Sequence, residues 1–332
     1  MIRSTNWIGD AVMTTPALAA VRAYFPAAEI VIAANTLVAE LFSPHPDCNR
    51  VIIYDKSSLH CGIRELMHFC AALRREQFDL AILFQNAMEA ALISRLAGIP
   101  RRLGYATDGR RLLLNYQVPI SDTERRLHHT DYYLNLLSSR GIKTSKAALK
   151  LFTSEHELLW AQKNLAPHGS WAAINPGASY GSAKRWIPQR FAAVADLLHE
   201  KSGQNIVLIG GPGENDIGHD IEAMMTSQPL NLIGKTTVRE MMAILKQCNV
   251  LITNDSGPMH VAAALGTPLV AIFGPTDHTT TSPVSSNARL IHKTVACAPC
   301  LLRQCPKDHQ CMKAVTAEEV FQAAAELLDI SP

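Results

Sequence analysis

The sequence predicts an α/β protein made of two Rossmann-like domains with parallel sheets. Three observations carry this. Short β-branched or apolar runs alternate with helical patterns along the chain, and that alternation produces parallel sheets with helices on both faces. The pattern restarts near Trp171, after the polar stretch "GIKTSKAALKLFTSE". The length, 332 residues, suits two domains of ordinary size, expected at 1–152 and 153–332.

In the first domain, strands are expected at 30–34, 51–54, 80–83, 102–105 and 116–118, and helices at 11–24, 63–76, 87–97 and 128–140. The segment "STNWIGDAVMTTPAL" precedes them, and Gly9-Asp10 opens its helix. Asp10 has two readings. It can cap the helix start, or it can be a cleft carboxylate that takes a proton from an incoming hydroxyl. In the second domain, strands are expected at 172–175, 206–209, 231–233, 250–253, 269–273 and 289–292. Helices are expected there at 155–165, 190–201, 216–226, 238–247, 259–265 and 317–328.

Ligands of open parallel sheets bind at the carboxyl ends of the strands. In the second domain those ends read "PGASYGSAKRWIP", "GGPGEND", "GKTTVRE", "NDSGPMH" and "GPTDH". All five contain glycine. They hold Gly177, Lys184, Arg185, Glu214, Asp216, Gly234, Thr236, Asp255, Ser256, Gly257 and His260. Five such loops on one edge describe a nucleotide-sized polar pocket with cationic groups. In "TNDSGPMH", Asp255 or Ser256 can cap the following helix, Pro258 suits its first turn, and Gly257 lets backbone approach a ligand. A helix start of this kind attracts phosphate. The bland alternative is a plain capped helix with His260 in the core. No phosphate-loop motif GxxxxGK[ST] is present, and "GGPGEN" does not fit the dehydrogenase pattern GxGxxG.

No stretch approaches the ~18 uncharged apolar residues of a membrane span, and "MIRSTNWIGD" is too polar for a signal peptide, so a cytoplasmic protein is expected. Residues 1–150 hold 18 Lys and Arg against 13 acidic residues, whereas the rest holds 13 against 16. The pairs Arg101-Arg102, Arg110-Arg111 and Arg125-Arg126 lie in the basic half and suit an acidic partner. A net charge of only +2 argues against a dedicated nucleic-acid binder. Cys297, Cys300, Cys305 and Cys311 enclose His309 in "CAPCLLRQCPKDHQC". Such a set can hold zinc or an iron–sulfur centre, but the spacing matches no standard signature. The alternative is a compact loop of reduced thiols, and no metal is assigned.

Taken together, "NWIGDAVMTTPAL", "NPGASYGSAKRWIP", "GGPGEND", "NLIGKTT" and "TNDSGPMHVAAALGTPLVAIFGPT" resemble glycosyltransferase family 9, the ADP-heptose:lipopolysaccharide heptosyltransferases, most of all its heptosyltransferase II branch. The resemblance spans nearly the full chain. It implies a GT-B fold with two sheets facing a central cleft, acceptor on the first domain and nucleotide sugar on the second. It implies inverting transfer of heptose from ADP-L-glycero-D-manno-heptose to a heptose of the lipopolysaccharide inner core, with no obligatory cofactor. Asp10 would be the base. Lys184, Arg185 and the helix start behind Ser256 and Gly257 would meet the phosphates. Asp255 would meet heptose hydroxyls, Glu214 or Asp216 the ribose, and backbone around Gly234 the adenine, with Gly177, Thr236 and His260 in the same site. An acidic glycolipid acceptor implies peripheral contact with the cytoplasmic face of the inner membrane. Alternatives are another family 9 transferase with a different acceptor, a sugar-nucleotide epimerase, or a non-catalytic nucleotide-sugar binder. Two features depart from the family pattern. Only Met1-Ile2-Arg3 precedes the "GD" loop, so either the start codon is displaced or the first strand is a stub, and a stub would expose a central sheet position. The cysteine-rich tail is absent from many relatives.

Overall fold

The computed structural model describes residues 1–56, 58–165 and 169–330. The chain forms two compact units, Met1–Phe152 and Thr153–Pro332.

In the first unit, strands β1 (Ile2–Arg3), β2 (Val31–Ala34), β3 (Arg50–Ile53), β4 (Leu80–Leu83), β5 (Arg101–Tyr105) and β6 (Tyr116–Val118) build one sheet, in the order β3-β2-β1-β4-β5-β6. All its pairings are parallel. This is the strand order of a Rossmann domain. β1 is indeed two residues long, but the central position it occupies is not exposed. Met1, Ile2 and Arg3 are buried. The Met1 amino group donates to the Leu80 carbonyl at 2.8 Å. Arg3 extends the stub's bonding: its Nη1 donates to the Ala33 carbonyl at 3.0 Å and its Nη2 to Asn6 Oδ1 at 3.2 Å.

The helix expected at 11–24 is two helices, Ile8–Met13 and Thr15–Tyr24. Pro16 has no N–H to give the Val12 carbonyl. The Thr15 hydroxyl takes that acceptor at 2.8 Å, and the Thr14 hydroxyl bonds the Ala11 carbonyl at 2.6 Å. A further helix, Thr36–Leu41, is too short for its periodicity to show in sequence. Asn35 caps it, accepting the Val38 N–H at 2.9 Å.

The second unit repeats the plan. Strands β7 (Trp171–Asn175), β8 (Asn205–Leu208), β9 (Leu230–Asn231), β10 (Val250–Asn254), β11 (Leu269–Phe273) and β12 (Ala288–His292) lie in the order β12-β11-β10-β7-β8-β9, all parallel. β10 and β11 are buried at every residue, which is why β11 and the first three residues of β10 read as unbroken apolar runs. β9 stops short of the expected 231–233. The Asn231 side chain accepts the Ile233 N–H at 3.2 Å and turns the chain toward Gly234, whose φ is +71°. Helix Pro188–Ser202 buries Phe191, Val194 and Leu198 against this sheet, and helix Ala317–Leu327 adds Val320 and Phe321 to the same core. Each such side chain stabilises the unit by about 1.5–3 kcal/mol.

In each unit the strand order reverses direction beside its first strand, between β1 and β4 and between β7 and β10. Helices leave opposite faces on either side of that point, so the strand ends open a crevice there.

Candidate active site

The switch point of the second unit gathers much of its polar chemistry. β7 ends in Asn175 and β10 in Asn254, both buried. The Asn175 amide donates to Thr253 Oγ1 at 2.9 Å and Ser256 Oγ at 2.7 Å. The Asn254 amide donates to the Pro176 carbonyl at 2.7 Å, and its oxygen accepts the Trp186 N–H at 3.0 Å. These two asparagines tie the loop after β7 to the loop after β10. Lys184 and Asp255 then meet: Nζ lies 2.6 Å from Oδ2, with side-chain exposures of 12% and 4%. The Thr276 hydroxyl, from the loop after β11, donates to the same Oδ2 at 2.6 Å.

The helix that follows, Gly257–Leu265, has Ser256 at its N-cap position, but no side chain caps it. The Ser256 hydroxyl is turned to Asn175, and Asp255 is committed to Lys184 and Thr276. The expected side-chain cap is therefore absent. Backbone N–H groups at this end keep their capacity for an anion, and the helix dipole favours one. His260 is buried one turn in. Arg185 is half-buried beside Lys184.

The neighbouring loops close up through glycine. A Cβ on Gly177 would lie 1.9 Å from the Glu214 carboxylate, so only glycine admits that side chain at this strand end. Glu214 accepts the Gly211 N–H at 2.8 Å. Gly234 donates to the Gly210 carbonyl at 3.0 Å. Thr236 is half-buried beside Thr237, which caps helix Val238–Gln247. Asp216 is exposed in the first turn of helix Asn215–Met224.

The cysteine-rich segment borders this site. The Leu301 N–H donates to the Pro275 carbonyl at 2.8 Å, and the Ala183 N–H to the Arg303 carbonyl at 3.0 Å. Tyr180 donates to the Leu301 carbonyl at 2.9 Å. One face contact to its ring comes from Lys184 Nζ at 4.9 Å and another from the Arg303 guanidinium carbon at 5.3 Å. All eight cysteines are free thiols, and burial raises the pKa of Cys311. Among the described residues, no three His, Cys, Asp or Glu side chains converge as a metal cage.

In the first unit, Asp10 stands in the first turn of helix Ile8–Met13, but Trp7 holds the N-cap position and no side-chain cap bond forms. The capping reading of Asp10 is thus displaced. Its Oδ1 instead lies 2.9 Å from His129 Nδ1. Burial, and then the Asp10 charge, push the adjacent Tyr133 phenol well above its ordinary value, so it stays neutral. The basic pairs divide by role. Arg110 is fully buried, donating to the carbonyls of Tyr105 and Gln85 and to Asn86 Oδ1. Arg102 is held by the Leu113 and Ile99 carbonyls. Burial lowers the pKa of both. Arg101, Arg111, Arg125 and Arg126 remain exposed.

Sequence reasoning passed over His129, Asn175, Asn254, Thr276, Tyr180 and Arg303. The asparagines carried a usable signal, since each is a polar residue ending a buried strand. His129 carried none, being 119 residues from its partner.

Two Rossmann units, each built on one parallel sheet and the second with polar groups gathered at its strand ends, have the α/β architecture of the GT-B class. The model for "Glycosyltransferase family 9 (heptosyltransferase)" matches residues 66–310, and the chain belongs to that family. It is 33% identical to the lipooligosaccharide heptosyltransferase 2 of Campylobacter jejuni, over 98% of this chain and 97% of that one. It is 30% identical to the lipopolysaccharide heptosyltransferase 2 of Escherichia coli K12, covering 100% and 94%. The solved structure of E. coli ADP-heptose lps heptosyltransferase II superposes with a TM-score of 0.85 at 28% identity, over 98% and 97% of the two chains.

Proposed function

We propose that the enzyme moves L-glycero-D-manno-heptose from ADP-heptose to a heptose of the lipopolysaccharide inner core, with inversion. The observation that carries this is the full-length likeness to heptosyltransferase 2 proteins. The second unit takes the donor. Negative charge grows on ADP as the anomeric carbon–oxygen bond breaks, and Lys184, Arg185 and the uncapped start of helix Gly257–Leu265 are the groups that meet it. Asp255 holds Lys184 and offers its remaining oxygen to heptose hydroxyls. Glu214 takes the ribose, and backbone near Gly234 the adenine. Gly177, Thr236 and His260 complete the surroundings of the nucleotide.

The first unit takes the acceptor. Asp10 removes the proton of the attacking hydroxyl, a contribution of about 10²–10⁴-fold. The exposed Arg101, Arg111, Arg125 and Arg126 suit an acidic glycolipid. Such an acceptor is lipid-anchored, so the enzyme works peripherally at the cytoplasmic face of the inner membrane. Among the described residues, no helix is long and apolar enough to cross one.

The test is turnover with ADP-heptose and defined truncated core acceptors. ADP should appear only with acceptor present. Equal consumption of donor without acceptor indicates an epimerase, and none under any condition a binding module; either result overturns the proposal. Asp10→Asn should cut kcat by about 10²–10⁴-fold while ADP affinity stays near native. Near-normal kcat at saturating acceptor removes Asp10 as the base.

A further inference from the structure

We infer that His129 is the positioning residue of the acceptor base. The inference rests on the assignment of that role to Asp10. Asp10 projects from a six-residue helix, and neither a cap bond nor deep burial fixes its carboxylate, which is 26% exposed. A carboxylate able to turn about two torsions presents the wrong lone pair much of the time, and a misplacement of ~1 Å costs about 100-fold in rate. His129 supplies the missing constraint. Its Nδ1 lies 2.9 Å from Asp10 Oδ1, which leaves Oδ2 to face a hydroxyl. A carboxylate can only accept, so in this pair His129 Nδ1 is the donor.

The support beneath His129 is stiff. It is the first residue of helix His129–Ser138, whose start is capped by the His128 side chain on the Thr130 N–H. Asn86, in the loop that follows β4, donates to the Tyr132 hydroxyl at 2.5 Å. Tyr105, at the end of β5, donates to the Tyr132 carbonyl at 2.7 Å. Asn86 is held in turn by the buried Arg110. The helix start carrying His129 is therefore tied to the carboxyl end of β5 and to the loop that leaves β4. The neighbouring cation Lys146 is engaged 3.0 Å away by Asp131.

A half-exposed pair of this kind contributes little to stability, so a merely structural role predicts small effects throughout. A positioning role predicts a fall in kcat alone. His129→Ala should lower kcat about 10–100-fold, with KM for acceptor, ADP affinity and Tm near native. His129→Asn, whose Nδ2 can donate from nearly the same place, should recover most of that loss. In an Asp10→Asn background, His129→Ala should change kcat by less than about 2-fold, because its effect passes through the lost carboxylate.

Three results overturn the inference: native kcat in His129→Ala while Asp10→Asn is impaired, an Asn variant as slow as the Ala variant, or an undiminished effect in the Asp10→Asn background. If His129→Ala fails to fold, His129→Leu takes its place as the variant without a donor. Near-normal kcat in Asp10→Asn itself would instead remove the base assignment, and this inference with it.

Discussion

Lys184→Met should separate two roles of one side chain. Its ammonium lies 2.6 Å from an Asp255 carboxylate that is 4% exposed, and Thr276 is that oxygen's other partner. Without the cation, Asp255 is a buried charge with one neutral donor. Breaking such a pair costs about 3–5 kcal/mol. The 12% exposure of Lys184 lets water reach the gap, so the lower end, about 3 kcal/mol, is expected. For a unit of this size that lowers Tm by about 6–12 °C. Adding Asp255→Asn removes the stranded charge and should restore most of the stability. Nucleotide affinity should behave differently. A charge-assisted contact to diphosphate contributes about 1.5–3 kcal/mol, or about 10- to 150-fold in Kd, and the second substitution cannot replace it. Asp255→Asn alone should bind ADP at least as tightly as the native protein, since Lys184 then has no carboxylate to leave. Thermal melts and calorimetric ADP titrations of the three variants decide the matter. Native-like ADP affinity in the double variant would make Lys184 only a counter-ion to Asp255 and place the diphosphate elsewhere. An unchanged Tm in Lys184→Met would refute the buried-charge reasoning.

Gly181→Ala puts a Cβ 2.2 Å from the Arg303 carbonyl oxygen, a backbone atom that cannot swing aside. The cost should be about 1–3 kcal/mol, with faster amide exchange at Ala183 as its bond to Arg303 opens. Burial pushes the Glu157 carboxyl up, but bonds from Arg239 and Ser154 outweigh it and hold the group below its ordinary value. Its contribution is therefore full above the unfolded carboxyl value of about 4.3 and is lost as pH falls through the folded one. Glu157→Gln should flatten the acid limb of Tm against pH, and an unaltered limb assigns the acid sensitivity elsewhere. Turnover should persist in a strong chelator, because Lys184, Arg185 and a helix start suffice for the phosphate charge. Activity lost with the fold intact and restored by zinc would reassign Cys297, Cys300, Cys305 and Cys311 to a metal.

The fold class and the strand edge that carries the polar loops are both legible in the residues alone. Both follow from local periodicity and from the rule that parallel strands deliver their ligand groups at the carboxyl ends. Buried strands such as β10 and β11 are legible because they carry apolar runs, Val250–Ile252 and Leu269–Phe273, with no polar face. Which polar groups meet was settled by long-range folding. Asp255 could have capped its helix, and it turned to Lys184, 71 residues away. Asp10 could have capped too, and it met His129 across 119 residues. Of the arginine pairs, Arg102 and Arg110 became internal struts while Arg101 and Arg111 stayed outside. The break at Thr14 is local, set by Pro16 and the Thr15 hydroxyl, but the burial of the stub β1 depended on contacts, since the Arg3 guanidinium reaches the Ala33 carbonyl. A short polar side chain has several nearly equal hydrogen-bonding partners within its own loop. The choice among them falls to whichever distant group the folded sheet brings within 3 Å and shields from water, and that arrangement has no local signature.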